Sequence, residues 1–283
     1  MAEAVIAFDR QSRTALLIRS HYFDAALGLM VDRFQRETGL PVWLVLDQSA
    51  GPIEVPSRFA TIRIDRAMVV AAGLVNLERW GWQCGDYFLI LAQQALPAIE
   101  FFWMIEPDVL INYADLSAFF GVFTEDRSDL WVATFGPHAP EWFWYNAMRR
   151  FWPGTIGGCF FPLLRISARL IEAIGRERRA MTRIMGLTDE VGVVRIDPAL
   201  YPNDEALTAA LALTASFVAR DFREAGVLYN EQTYRLGQPF LAEELAQSAQ
   251  GRHLYHPVRN GVRADEGVGE RVKSFTTLSP GGQ

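Results

Sequence analysis

Two hydrophobic periods take turns along the first half of the chain. "TALLIRS" begins with continuous apolar residues and predicts a buried strand over 14–19. After Asp24, the residues Leu27, Met30, Val31 and Phe34 recur at three-to-four spacing, which predicts a helix capped by Asp24. Gly39 suits its stop, and Pro41 introduces "VWLVLD", apolar on both faces until Asp47. "ATIRID" predicts a third strand over 60–65, with a helix over 66–78 behind it. "GDYFLILAQQALP" predicts a helix capped by Asp86 and stopped near Pro97. A strand "FFWMIEPDV", a helix over 113–120 and a strand over 129–135 complete the regular part.

Strand and helix in alternation imply an α/β fold, a mostly parallel sheet with right-handed crossovers. The second half is less regular. "HAPEWFWYNAMRRFWPGTIGG" predicts an aromatic loop. "CFFPLLRISARLIEAI" predicts a short apolar run and then a helix, with Leu163, Ser167, Leu170, Ile171 and Ile174 on one face. "NDEALTAALALTASFVAR" predicts a helix begun by Asn203 or Asp204. We read 1–264 as one domain. From Asp265 the chain is polar and Gly-rich, and 265–283 is expected to be a flexible tail.

Composition removes several function classes. The net charge of −6 argues against a nucleic-acid partner. Cys84 and Cys159 form neither a metal spacing nor a bridge framework, which suggests a reducing cytoplasm. No charged-then-apolar leader opens the sequence, and the longest apolar candidate for a membrane span, 87–105, is interrupted by Gln93, Gln94, Pro97 and Glu100. The glycine fingerprints of dinucleotide and P-loop sites are missing, as is the G-x-S-x-G of serine hydrolases.

Chemistry concentrates where "FFWMIEPDVLIN" passes from apolar to acidic. Carboxylates are rarely buried unpaired, so Glu106 and Asp108 are expected where the strand emerges, the edge at which open α/β sheets bind ligands. Alternate strand residues point the same way, so the two acids together would make a hard oxygen site for Mg²⁺ or Mn²⁺. The plainer reading is a turn in which Asp108 caps the next helix.

The segment "FFWMIEPDVLINYADLSAFF" resembles the metal-binding segment of nucleotide-sugar glycosyltransferases of the GT-A fold. Its form W-x-x-E-P-D-V is similar to fungal Golgi mannosyltransferases and to several bacterial polysaccharide glycosyltransferases. The match covers about twenty residues, and the order of elements agrees over 14–135. The resemblance implies a Rossmann-type central sheet flanked by helices, with 12–135 as the nucleotide-sugar half and a less regular acceptor half over 136–264. It implies a metal-dependent transfer of sugar from a nucleoside-diphosphate sugar to a glycan or lipid-linked glycan, in bacterial surface or capsular polysaccharide synthesis.

Residue by residue, the resemblance makes Asp108 the direct metal ligand, with Glu106 bound directly or through water. It makes His256, in "YHPV", the third ligand; the plainer reading is a surface or capping histidine. The loop "IRSHYFD" after the first strand would receive the nucleotide, with Arg19 at a phosphate, Ser20 and Tyr22 near the base, and Asp47 at the ribose or base edge. Core packing for Tyr22 and a surface ion pair for Arg19 are the bland alternatives. Asp204 and Glu205 match the acid pair that inverting enzymes place at a late helix, although helix N-termini favour acids in any case. The fungal enzymes retain configuration, so both stereochemical outcomes stay open.

Trp142, Trp144 and Trp152 lie in the aromatic segment and suit an acceptor platform; core packing and a peripheral membrane collar are the other readings. A non-catalytic nucleotide-sugar or carbohydrate binding protein is the alternative to an enzyme. The expected location is cytoplasmic, with contact at the inner face of the membrane.

Overall fold

The computed structural model describes residues 13–187, 192–246 and 251–259. The four apolar runs of the first half become β1 (Thr14–Ser20), β2 (Val42–Asp47), β3 (Thr61–Ile64) and β4 (Phe101–Ile105), all parallel. Beyond them β5 (Leu110–Asn112) leaves the sheet, and β6 (Leu130–Pro137), β7 (Gly157–Ser167) and β8 (Ala219–Asp221) complete it. The seven-stranded order is β3-β2-β1-β4-β7-β6-β8, with β7 antiparallel to both of its neighbours. The sheet is therefore mixed α/β and mostly parallel, as the alternating elements predict.

Pleating sends alternate side chains to two cores. One face, with Leu17, Val45, Met104, Val132 and Leu164, packs under α2 (Arg66–Ala71), α4 (Asp86–Ala95), α7 (Ala168–Ile184) and α8 (Asp204–Ala212). On the other, Leu16, Ile18, Leu44 and Trp103 pack under α1 (Ala25–Thr38), α5 (Leu116–Gly121) and Phe222, Val227, Tyr229, Tyr234 and Leu254. Trp103 lies parallel to Phe222 at 6.1 Å between ring centres and meets Phe119, Phe120 and Phe123. Both caps of α1 form as expected: Asp24 accepts the Leu27 amide at 2.8 Å, and Gly39 closes the helix at φ +67°.

Several local expectations are corrected. The helix over 66–78 stops at Ala71, because Gly73 takes φ +73° and the chain then turns to pair with residues near Val194. A separate turn, α3 (Trp80–Gln83), follows. Asp86 is the first residue of α4 and not its cap; its carboxylate is buried against Arg178 of α7. Leu163 and Ser167 belong to β7, and Ser167 caps α7 through the Leu170 amide. The helix over 113–120 begins at Leu116, after Asp115 caps it. The aromatic loop contains the short helix α6 (Tyr145–Arg149). The tail over 265–283 lies outside the described residues. Among the described residues no helix is long and apolar enough to cross a membrane.

Candidate active site

Because β1, β2 and β4 are parallel, their C-terminal ends share one edge, where Arg19, Asp47 and Glu106 lie. β4 gives out at Ile105. The Glu106 amide still donates to Pro162 of β7 at 2.9 Å, and the Val109 amide closes a turn onto the Glu106 carbonyl at 3.1 Å. Pro107 has no amide hydrogen to lose in that turn. β5 then pairs antiparallel with β10 (His253–Tyr255), with Tyr255 opposite Leu110. This register delivers His256 to Asp108, and the Val258 amide donates to the Asp108 carbonyl at 2.8 Å.

The result is a cluster in which one ligand atom each from Glu106, Asp108 and His256 lies within 4.8 Å of the others. His256 is only 5 % exposed. Its Nδ1 faces the Arg235 carbonyl at 2.8 Å. A carbonyl only accepts, so Nδ1 carries a proton, and Nε2, 3.6 Å from Asp108 Oδ1, is the nitrogen that could bind a cation. Burial, and then the charge of Glu106, raise the Asp108 pKa. Two crowded carboxylates and an imidazole of fixed tautomer fit a divalent cation, which would relieve the repulsion that they otherwise suffer.

Arg19, at the end of β1, donates to Glu106 and lies 3.7 Å from Asp204. The guanidinium is buried, with its carbon 5.8 Å from the ring centres of Phe88 and Phe161. It therefore joins two carboxylate centres and is turned away from solvent. Gly85 is what makes the room: a Cβ there would fall 1.7 Å from Arg19 Nη1 and 2.5 Å from Asp204 Oδ2.

Asp204 and Glu205 open α8, whose cap is Asn203. Asp204 is 3 % exposed and accepts the Gly85 amide at 2.7 Å and the Glu205 amide at 2.8 Å. Glu205 is half-buried and accepts from Asn203 Nδ2 at 3.1 Å and from the Phe161 amide. Burial pushes the Asp204 pKa up to about 7 against the pull of Arg19. Burial, and then the Asp204 charge, push Glu205 up to about 8. Desolvation here outweighs the favourable field of the helix terminus.

Both folded pKa values exceed those of the unfolded chain, so the native state holds extra protons between roughly pH 4 and 8. Stability from these groups is full at the acidic end and is lost as pH rises through about 7 to 8. Glu205→Gln removes one of the two groups, and its melting temperature is expected to fall less steeply over pH 5 to 8 than that of the wild type. Parallel melting curves for the two proteins would contradict this.

The remaining predicted residues are more dispersed. The Ser20 hydroxyl donates to the Tyr22 carbonyl at 2.9 Å and accepts the Tyr22 amide at 3.2 Å, so it shapes the loop. Tyr22 is 41 % exposed, with its ring edge-on to His21. Asp47 accepts the Ser49 amide at 2.8 Å and closely abuts Gly81, where a Cβ would come within 2.5 Å. Trp142 stacks on His138 at 4.2 Å, and Trp152 is half-buried. Trp144 is 8 % exposed and packs in the core against Trp82.

Sequence reasoning missed the support behind Asp204. Arg178 binds Asp86 through two contacts, of 2.6 and 3.1 Å, and also donates to the Pro202 carbonyl at 2.7 Å. Gln83 donates to the Tyr201 carbonyl at 2.7 Å. The turn before α8 is thus tied to α3, α4 and α7. An unexplained glycine directly before an acidic helix start, Gly85 before Asp86, was the available signal.

No family model and no curated protein match the chain. Among solved structures, it is similar to the mannosyltransferase Ktr4p from S. cerevisiae, at 9 % identity and TM-score 0.41, over 79 % of this chain and 72 % of that one. The same values hold for the complex of Ktr4p with GDP. A glycosyltransferase involved in glycosylation of the major capsid of PBCV-1 is similar at 11 % identity and TM-score 0.30, over 65 % of this chain and 82 % of that one.

Proposed function

We propose that the chain is a cation-dependent glycosyltransferase, moving a sugar from a nucleoside-diphosphate sugar to a glycan acceptor. The observation that carries this reading is the placement of Glu106, Asp108 and His256 within 4.8 Å of one another, with Arg19 leading from Glu106 towards Asp204 and Glu205. A divalent cation held there, Mn²⁺ better than Mg²⁺ because of the imidazole, supplies positive charge to a departing diphosphate.

The chain's own groups have separable tasks. Asp108 and the His256 Nε2 hold the cation, and Glu106 does so with its carboxylate steadied by Arg19. Asp204, locked by two amides, sets the position of Glu205. Glu205 is the less buried of the two and serves at the reacting end, taking the acceptor proton if configuration inverts or meeting the sugar carbon if it is retained. Tyr22 and Asp47, on the same sheet edge, receive the nucleoside, while Trp142 and Trp152 offer ring faces to the acceptor. In this reading 12–135 is the donor half and 136–264 the acceptor half. The setting is growth of bacterial surface or capsular polysaccharide, in the cytoplasm at the inner face of the membrane.

The test is a panel of nucleotide sugars incubated with and without Mn²⁺, scored for free nucleoside diphosphate. Release from one nucleotide sugar only when Mn²⁺ is present is expected. Tight nucleotide binding with no release from any of them would instead make the chain a binding protein.

A further inference from the structure

β7 runs past the cluster of Glu106, Asp108 and His256 with its two faces in different use. Gly157 and Cys159 face α8: a Cβ at Gly157 would lie 3.0 Å from Ala209, and Cys159 Sγ is 3.5 Å from the Glu205 carbonyl. Gly158 and Phe160 face the other way, as strand alternation requires. The Phe160 ring meets His256 edge-on at 5.1 Å between centres. Two residues further out along the strand, roughly 7 Å, the place of a side chain at Gly158 is taken by His138 and Trp142.

A Cβ at Gly158 would fall 2.4 Å from His138 Cδ2, 2.6 Å from His138 Nε2 and 2.9 Å from Trp142 Cη2. The φ of Gly158 lies outside the left-handed region, so the close approach of these rings is what excludes a side chain there. The two rings stack at 4.2 Å between centres, with 24° between their planes. Backbone bonds fix both: the His138 amide donates to the Ile156 carbonyl at 2.9 Å, and the Trp142 amide to the Ala139 carbonyl at 3.0 Å. Both residues are only half-buried. Partial burial holds the imidazole pKa below its ordinary value, so the ring is neutral at pH 7 and carries one donor and one acceptor nitrogen. Among the described residues neither nitrogen has a hydrogen-bond partner. A clasp that only closed the aromatic segment would gain nothing from such nitrogens, since an aliphatic side chain would pack as well.

We propose that the His138–Trp142 stack is the subsite for the acceptor's terminal sugar: its aromatic surface takes the apolar face of a pyranose ring, and a His138 nitrogen binds one of the ring's hydroxyls. This rests on the glycosyltransferase reading given above and narrows its acceptor platform to one place. Apolar surface beside a few polar groups of fixed position is how small ligands are held and oriented. The stack shares a face of β7 with the ring that packs on His256, about one sugar's width along the strand. A pyranose resting there therefore points towards the departing diphosphate.

The experiment titrates the full chain with the methyl glycosides of glucose, galactose and mannose and follows binding by saturation-transfer NMR. At least one glycoside is expected to bind. His138→Ala and Trp142→Ala are each expected to weaken it about tenfold, the scale of one lost hydrogen bond or ring contact, with melting temperatures close to that of the wild type. Phe143→Ala is the control. Its ring is exposed in the same segment and meets Trp144 instead of the stack, so binding should be kept. Binding of none of the three glycosides, binding unchanged in His138→Ala, or equal weakening in Phe143→Ala each overturns the subsite. The nucleotide-sugar assay separates this result from the wider reading. Diphosphate release by a chain that binds no glycoside removes the subsite and leaves the transferase. Glycoside binding that needs His138 and Trp142, in a chain that releases no diphosphate, keeps the subsite and removes the transferase.

Discussion

Asp108→Ala is expected to cut cation-dependent release of nucleoside diphosphate about 10²–10³-fold, the scale of removing one group that answers developing charge. The fold should survive the change. What residue 108 contributes to structure is its carbonyl, which takes the Val258 amide, and alanine keeps it. The carboxylate itself is crowded by Glu106 and partly desolvated, and that burial has no structural return in the absence of a ligand. Loss of turnover with unchanged melting is therefore the expected pair of results. If Asp108 were only a turn residue, turnover would stay within a few-fold of wild type.

The second large effect lies behind the site. Arg178→Ala is expected to destabilise the fold by about 3–5 kcal/mol, because it strands the Asp86 carboxylate in a fully buried position. That is a large part of the 5–15 kcal/mol that ordinarily separates folded from unfolded. Denaturant unfolding would show it as a lower midpoint at similar slope. Replacing both partners with leucine should recover much of the stability, since a well-packed apolar pair avoids the cost of burying charge. Turnover should not recover, because Arg178 also holds the Pro202 carbonyl one residue before the cap of α8.

The strands were readable because continuous apolarity has few other outcomes in a chain of this size. β1 and β2 fall within a residue or two of their expected bounds, whereas β4 ends at Ile105, four residues short of the expected run through Val109. Helix ends were less so. Gly73 ended a helix that its apolar spacing would have continued, and Leu163 and Ser167 share no helix face, since both lie in β7 and Ser167 caps α7. An acid at a helix start reads the same whether it caps or is buried. Asp86 needed Arg178, on another helix, to reveal which it was.

For the site, Glu106 and Asp108 were legible as acids at a strand end, and His256, Asp204 and Glu205 came from the family resemblance. No local pattern could pair Arg19 with Glu106, because only the parallel register of β1 and β4 sets the ends of those strands side by side.

The most direct measurement is the anomalous scattering of Mn²⁺ in crystals grown with the nucleoside diphosphate that the panel selects. A single strong peak is expected within about 2.0–2.4 Å of Asp108 and of His256 Nε2, with diphosphate oxygens completing the shell. A peak elsewhere, or none while the diphosphate is clearly bound, would contradict the account.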